Sequence, residues 1–135
     1  MYSLTIKAIE CGWANLEIVI DDQPILVCIE NVPNDAFNDL LESAILVINQ
    51  IDSNVFFPNG SQKETLTVVS LDSSHCRVTI GGYSEEMSVK LYIRAVLRLF
   101  DVYLHAHSKE EFDREWCNSF SVDYLERLRK KFKNL

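Results

Sequence analysis

Residues 3–30 read SLTIKAIECGWANLEIVIDDQPILVCIE, three short apolar runs separated by two breaks. In residues 3–9, Leu4, Ile6 and Ala8 share one face, the two-residue period of a strand buried on one side. Gly12-Trp13-Ala14 follows, then residues 15–21, with Leu16, Ile18 and Ile20 on a common face. Asp21-Asp22-Gln23-Pro24 is a turn cluster. Residues 25–30 are apolar on both faces, which predicts a more centrally placed strand. The connections are too short for crossovers, so the three strands form an antiparallel meander.

Beyond the meander the period changes. Pro33-Asn34-Asp35 opens a helix in which Phe37, Leu40, Leu41, Ala44, Ile45 and Ile48 make one apolar stripe. Asn34 or Asp35 can cap its first turn, and Asp52-Ser53-Asn54 ends it. Val55-Phe56-Phe57 is a short extended piece closed by Pro58-Asn59-Gly60-Ser61. Residues 64–71 and 76–81 read as strands joined by Asp72-Ser73-Ser74, with Gly81-Gly82 breaking the pattern. A second, longer helix runs from Ser88 to His107, its buried stripe formed by Val89, Tyr92, Ile93, Val96, Leu97, Phe100, Tyr103 and Leu104. Ser108-Lys109-Glu110-Glu111 is a capping box: the hydroxyl bonds a first-turn amide and Glu111 reaches back. It starts a short helix with Phe112 and Trp116 on one side. Ser121 can cap a last helix whose core side is Val122, Leu125, Leu128 and Phe132. Two successive strands-then-helix units predict an α+β fold, with antiparallel sheet packed on the two longer helices and short helices at the C-terminus. At 135 residues the chain is read as one domain, 1–135.

Three Pro and four Gly argue against linkers and low-complexity segments. No apolar run approaches the roughly 20 residues that span a bilayer. The opening residues lack the basic region and cleavage site of a signal peptide, so a soluble, cytoplasmic protein is expected. Cys11, Cys28, Cys76 and Cys117 are widely spread, with no metal-binding CxxC spacing. They are expected to be mostly buried small hydrophobes rather than disulfides or a zinc site.

The charge is unevenly placed. Between Lys7 and Lys63 there is no Lys, Arg or His. Through residue 61, nine acids against Lys7 give −8; the rest, eleven acids against twelve bases, gives +1, and together they make the −7 of the chain. Such an anionic half repels itself but speeds encounter with a cationic partner. Asp35, Asp39 and Glu42 lie on one outward stripe of the first helix, and Glu17 and Asp21 on one face of strand two. Lys90, Arg94 and Arg98 form a basic stripe on the second helix. It can neutralise the acidic stripe within one chain or across a homodimer; a solvated face is the remaining reading. Arg127, Arg129, Lys130, Lys131 and Lys133 complement the C-terminal end of the last helix. With a net charge of −7, nucleic-acid binding is disfavoured.

Signatures of catalysis are missing. No GxGxxG, P-loop, GxSxG or HExxH occurs. His105 and His107 at i, i+2 on a helix point roughly 200° apart and cannot readily share a metal. His75 and Cys76 are neighbours on a strand and face opposite ways. Glu110, Glu111, Asp113 and Glu115 include the first turn of a helix, where negative charge is favourable without any catalytic purpose.

Gly12-Trp13-Ala14 between two strands, a helix near residue 40, Val96-Leu97-Arg98-Leu99-Phe100-Asp101, and Phe112-Asp113-Arg114-Glu115-Trp116 occur in that order. In these the chain resembles the immunity proteins of contact-dependent growth inhibition and related bacterial polymorphic-toxin systems. The resemblance implies a cytoplasmic protein that binds and blocks the C-terminal domain of a cognate toxin, often a basic nuclease. It implies no catalytic residue; independently, no cofactor, metal or membrane partner is expected. The βββα order is also similar to the Whirly fold, which in other proteins binds single-stranded DNA, and a nucleic-acid-binding module is the alternative. On the first reading Glu17, Asp21, Asp22, Asp35, Asp39, Glu42 and Asp52 are the expected partner-binding residues. Phe56 and Phe57 are candidate anchors, with a core role for them the stronger expectation.

Overall fold

The computed structural model describes residues 1–59 and 62–135. The chain forms β1 (Ser3–Glu10), β2 (Trp13–Ile20), β3 (Gln23–Glu30), α1 (Ala36–Ile48), β4 (Ser53–Asn59), β5 (Gln62–Ser70), β6 (His75–Ile80), β7 (Tyr83–Ser88), α2 (Val89–Ala106), α3 (Lys109–Trp116) and α4 (Val122–Lys133). β1-β2-β3 make one antiparallel sheet and β4-β5-β6-β7 a second. The fold is α+β, as the order of elements predicts.

Tight turns make the hairpins. Cys11 and Gly12 (φ 51° and 83°) join β1 to β2, and Asp21 and Asp22 (φ 51° and 60°) join β2 to β3. Positive φ at both central positions matches the right-handed twist of the flanking strands. Gly81-Gly82 ends β6, as the break in pattern predicts, and turns the chain into a further strand, β7, with Gly81 at φ 59°. β7 escapes the periodicity because its sequence, YSEEMS, buries only Met87. Residues 55–57 likewise belong to a full strand, β4. Of the turn expected at 58–61, Pro58 and Asn59 close β4, while Gly60 and Ser61 lie outside the described residues.

Each long helix packs on strands of the other unit. α1 follows the first sheet but lies mainly on β4, and α2 follows the second but lies on β1 as well as β7. α4 touches both helices, and β3 runs beside β4. One continuous core results, centred on Phe37, Phe57, Tyr92, Phe100, Phe112 and Trp116.

The caps hold in part. Asp35 caps α1, accepting from Asn38 N at 3.2 Å, and Ser108 caps α3, accepting from Glu111 N at 3.0 Å. The Glu111 carboxylate pairs with His107 Nδ1. Ser121 precedes α4 without a capping hydrogen bond from its side chain. All four cysteines are free thiols and only Cys76 is buried, against the expectation that most would be. The other three are exposed: Cys11 in the β1–β2 turn, Cys117 at the left-handed C-cap of α3 and Cys28 on the open face of the first sheet.

Candidate functional site

The first sheet has one face against the core and one in solvent. β2 sends Ala14, Leu16, Ile18 and Ile20 inward. Its alternate residues Trp13, Asn15, Glu17 and Val19 therefore point outward. Register then writes the outer face in rows across three strands. Glu10, Trp13 and Glu30 stand in one row, Ala8, Asn15 and Cys28 in the next, then Thr5, Glu17 and Leu26, then Ser3, Val19 and Pro24. Register shifts between Ile6 and Ala8, which sets Lys7 in a bulge.

This face mixes exposed apolar groups with acids. Trp13 is 39% exposed and Leu26 65%, and Cys28 is open to solvent. β3 was expected to be central because it is apolar on both sides. The outward apolar residues are instead exposed. Cys28 Sγ donates to Asn15 Oδ1 at 2.9 Å, and Lys7 Nζ lies 3.9 Å from Glu17 Oε1. At the hairpin tip, the Asp22 carboxylate takes the α-amino group of Met1 at 2.9 Å, and Asp21 N donates to Glu85 Oε1 at 2.8 Å.

Three of the expected partner-binding residues come together here: Glu17 on the face and Asp21 and Asp22 at its tip. The others have separate places. Asp35 is half-buried and accepts from Asn38 N and from the indole Nε1 of buried Trp116 at 3.0 Å. Asp39 is half-buried and takes the Asn34 amide at 2.9 Å. Asp52 takes Ser70 N at 2.8 Å, fastening β4 to β5. Glu42 is exposed, with no hydrogen bond or ion pair among the described residues. Lys90, Arg94 and Arg98 make no ion pair with the α1 acids among the described residues. Phe57 is core; Phe56 is 49% exposed on the outer face of the second sheet, opposite Thr65.

Glu10 and Glu30 are among the nine acids counted but not among the expected contacts, and Trp13, Leu26 and Cys28 carry no charge to count. The signal that finds them is register: two-residue turns at Cys11-Gly12 and Asp21-Asp22 place all three strands' outward sets side by side.

Two segments far apart in the chain, Gly12-Trp13-Ala14 and Phe112-Asp113-Arg114-Glu115-Trp116, meet in space. Gly12 N donates to Glu115 O at 2.6 Å, Asn31 N donates to Gly12 O at 2.9 Å, and Asn31 Nδ2 donates to Trp116 O at 3.0 Å. The Trp116 ring packs on Phe37 with centroids 4.7 Å apart. This junction holds the end of α3 against the β1–β2 turn, directly beside Trp13.

Buried polar chemistry elsewhere is quiet. Ser43 Oγ meets Tyr92 OH at 2.7 Å, and burial pushes the Tyr92 and Tyr2 hydroxyls up and the Cys76 thiol to about 11. All three stay protonated at neutral pH and so supply no base or nucleophile. Among the described residues no three His, Cys, Asp or Glu side chains gather as metal ligands, and no helix is long and apolar enough to cross a membrane. The chain matches no protein-family model, no curated protein and no solved structure.

Proposed function

We propose that the protein is an immunity protein of a bacterial contact-dependent growth inhibition or related polymorphic-toxin system. On this reading it works in the cytoplasm as a binding protein, without catalytic residues or cofactor. It covers the C-terminal domain of its cognate toxin, a basic nuclease-type domain, and excludes that domain's substrate. The observation that supports this reading is Trp13 set between Glu10 and Glu30 on an open sheet face. A toxin lysine or arginine laid over the indole gains cation–π attraction and two flanking carboxylates. Leu26 and Cys28 add apolar area to bury around it. Glu17, Asp21, Asp22 and Glu42 extend the negative field and raise the encounter rate. Asp35, Asp39 and Asp52, engaged within the fold, add to the field rather than to contact. On the alternative reading, a single-stranded nucleic acid would lay its phosphates on these same carboxylates, which repel them.

This reading requires a toxin domain encoded in a neighbouring gene, and the test is affinity for that domain, measured by calorimetry. Trp13→Ala weakens binding about 30-fold, the size of a hot-spot loss near 2 kcal/mol. Glu10→Lys with Glu30→Lys slows association, and raised salt does the same to the native protein. Phe56→Ala, on the other sheet, leaves affinity unchanged. Full affinity in Trp13→Ala removes this face from the interaction. Retention of an oligonucleotide on a filter at low salt favours the nucleic-acid alternative.

A further inference from the structure

The edge of the first sheet carries a surface of the opposite sign. β1 is bonded to β2 on one side only. In an antiparallel ladder, alternate residues of an edge strand turn their N–H and C=O groups away from the partner. Among the described residues, no element other than β2 hydrogen-bonds to the backbone of residues 3–9. Beside this edge lies a cleft of about 410 Å³ between β1 and α2. Its strand side is the unbroken run 1–6, so inward and outward residues alike border it, as happens only along an edge. Its helix side is one stripe of α2: Leu91, Ala95, Leu99 and Val102 with Arg94 and Arg98. Among the described residues no carboxylate lines the cleft, although the chain has 20 acids against 13 Lys and Arg. Neither arginine has an ion-pair partner among the described residues; Arg94 lies 5.9 Å from the ring centroid of Phe132.

We propose that this cleft takes an extended segment of a partner protein as an added strand on β1, with carboxylates on the side chains that face α2. Main-chain hydrogen bonds to the open edge supply affinity, and the helix selects the side chains. The spacings agree. Same-face residues of a strand are about 6.6 Å apart, and helix positions i and i+4 about 6 Å, so two acids at alternate positions meet Arg98 and Arg94 in turn. Leu91, Ala95 and Leu99 receive the apolar stems between them. The bulge at Lys7 ends the usable edge, limiting the added strand to about six residues, or about 20 Å. This inference does not rest on the immunity reading, since it concerns another side of the sheet and the other sign of charge.

The probe is a short capped peptide alternating valine and glutamate, titrated into the isotope-labelled full chain and followed by amide chemical shifts. Shifts confined to residues 2–6 and 91–102 are expected, with at least tenfold weaker binding of the lysine-for-glutamate twin. Arg94→Glu with Arg98→Glu, at exposed positions that leave the fold intact by circular dichroism, lowers affinity at least tenfold. N-methylation of alternate peptide amides abolishes binding in one of the two registers. Equal binding of the lysine twin, indifference to N-methylation, or no shifts at millimolar peptide overturns the proposal. So does a concentration-dependent dimer that closes the same residues without peptide, which makes a second copy the occupant. Loss of toxin binding in Trp13→Ala with peptide binding intact separates this surface from the outer face.

Discussion

On the outer face of the first sheet, Glu10, Trp13 and Glu30 stand side by side across three strands. On the outer face of the second, facing residues answer one another. Thr67 donates to Asn54 at 2.9 Å, Thr79 and Ser84 hydrogen-bond at 3.1 Å, and Arg77 donates to Glu86 at 2.7 Å. Cross-strand pairs of that kind stabilise a sheet whose outer neighbour is water. The first sheet places two acids, Glu10 and Glu30, on either side of an aromatic ring, and its Lys7 reaches Glu17 at the long distance of 3.9 Å. Solubility asks for no more than the second face provides. The first face carries exposed apolar area and several carboxylates together, the combination that a cationic partner can use.

The contrast can be probed through the thiols, where the effect is largest. Cys28 lies on the open outer face and Cys76 on the buried inner face of the other sheet. Burial holds the Cys76 thiol up to about 11, so about a thousandth of it is thiolate at pH 8. Iodoacetamide at that pH labels Cys11, Cys28 and Cys117 in the native protein and Cys76 at least about 100-fold more slowly. Peptide mass spectrometry reads the order; equal rates at Cys28 and Cys76 break the distinction between an open and a closed face.

Helix caps give the next largest difference. Asp35→Ala removes the α1 cap and strands the buried Trp116 indole N–H, a loss of about 2–3 kcal/mol. Ser88→Ala removes only the α2 cap, where Ser88 Oγ accepts from Leu91 N at 3.1 Å, for about 1 kcal/mol. Urea denaturation measures both. Equal losses mean that the Trp116 junction does not brace the first sheet.

The smallest comparison sets one hairpin turn against another. Gly12→Ala and Gly81→Ala each place a side chain at positive φ, for about 1–2 kcal/mol. A Cβ at Gly12 also meets Asn31 Nδ2 at 3.2 Å, whereas one at Gly81 meets nothing within 4 Å. Gly12→Ala is therefore the more destabilising by roughly 1 kcal/mol, if Asn31 is held by its bond to Trp116. Equal melting curves show that Asn31 yields.

Much of the fold was legible because its signals are local. Leu16, Ile18 and Ile20 mark a strand by alternation, and Phe37, Leu40, Leu41 and Ala44 mark a helix by their stripe. Ser108 caps α3 because a hydroxyl three residues from Glu111 N is within reach. β7 was not legible, since an edge strand that buries only Met87 has no period to detect. The place of β3 was misread because apolarity on both faces looks the same whether the second face is buried or open. Of the expected site, Glu17, Asp21 and Asp22 share a face and its tip because strand register is short-range. Asp35, Asp39 and Asp52 are drawn into capping and clasping bonds with Trp116, Asn34 and Ser70, which no spacing along the chain announces.

By itself the sequence determined β1, β2, β3, β5 and β6, the two long helices and the negative first half, because these follow from neighbours within a few residues. Only the tertiary structure decided that Gly12 receives the end of α3, that Trp13 stands between Glu10 and Glu30, and that β1 meets Arg94 and Arg98 across a cleft. The longest of those relations, Gly12 to Glu115, joins residues more than a hundred positions apart. Such relations depend on how sheets and helices share one core, and periodicity carries no information about that.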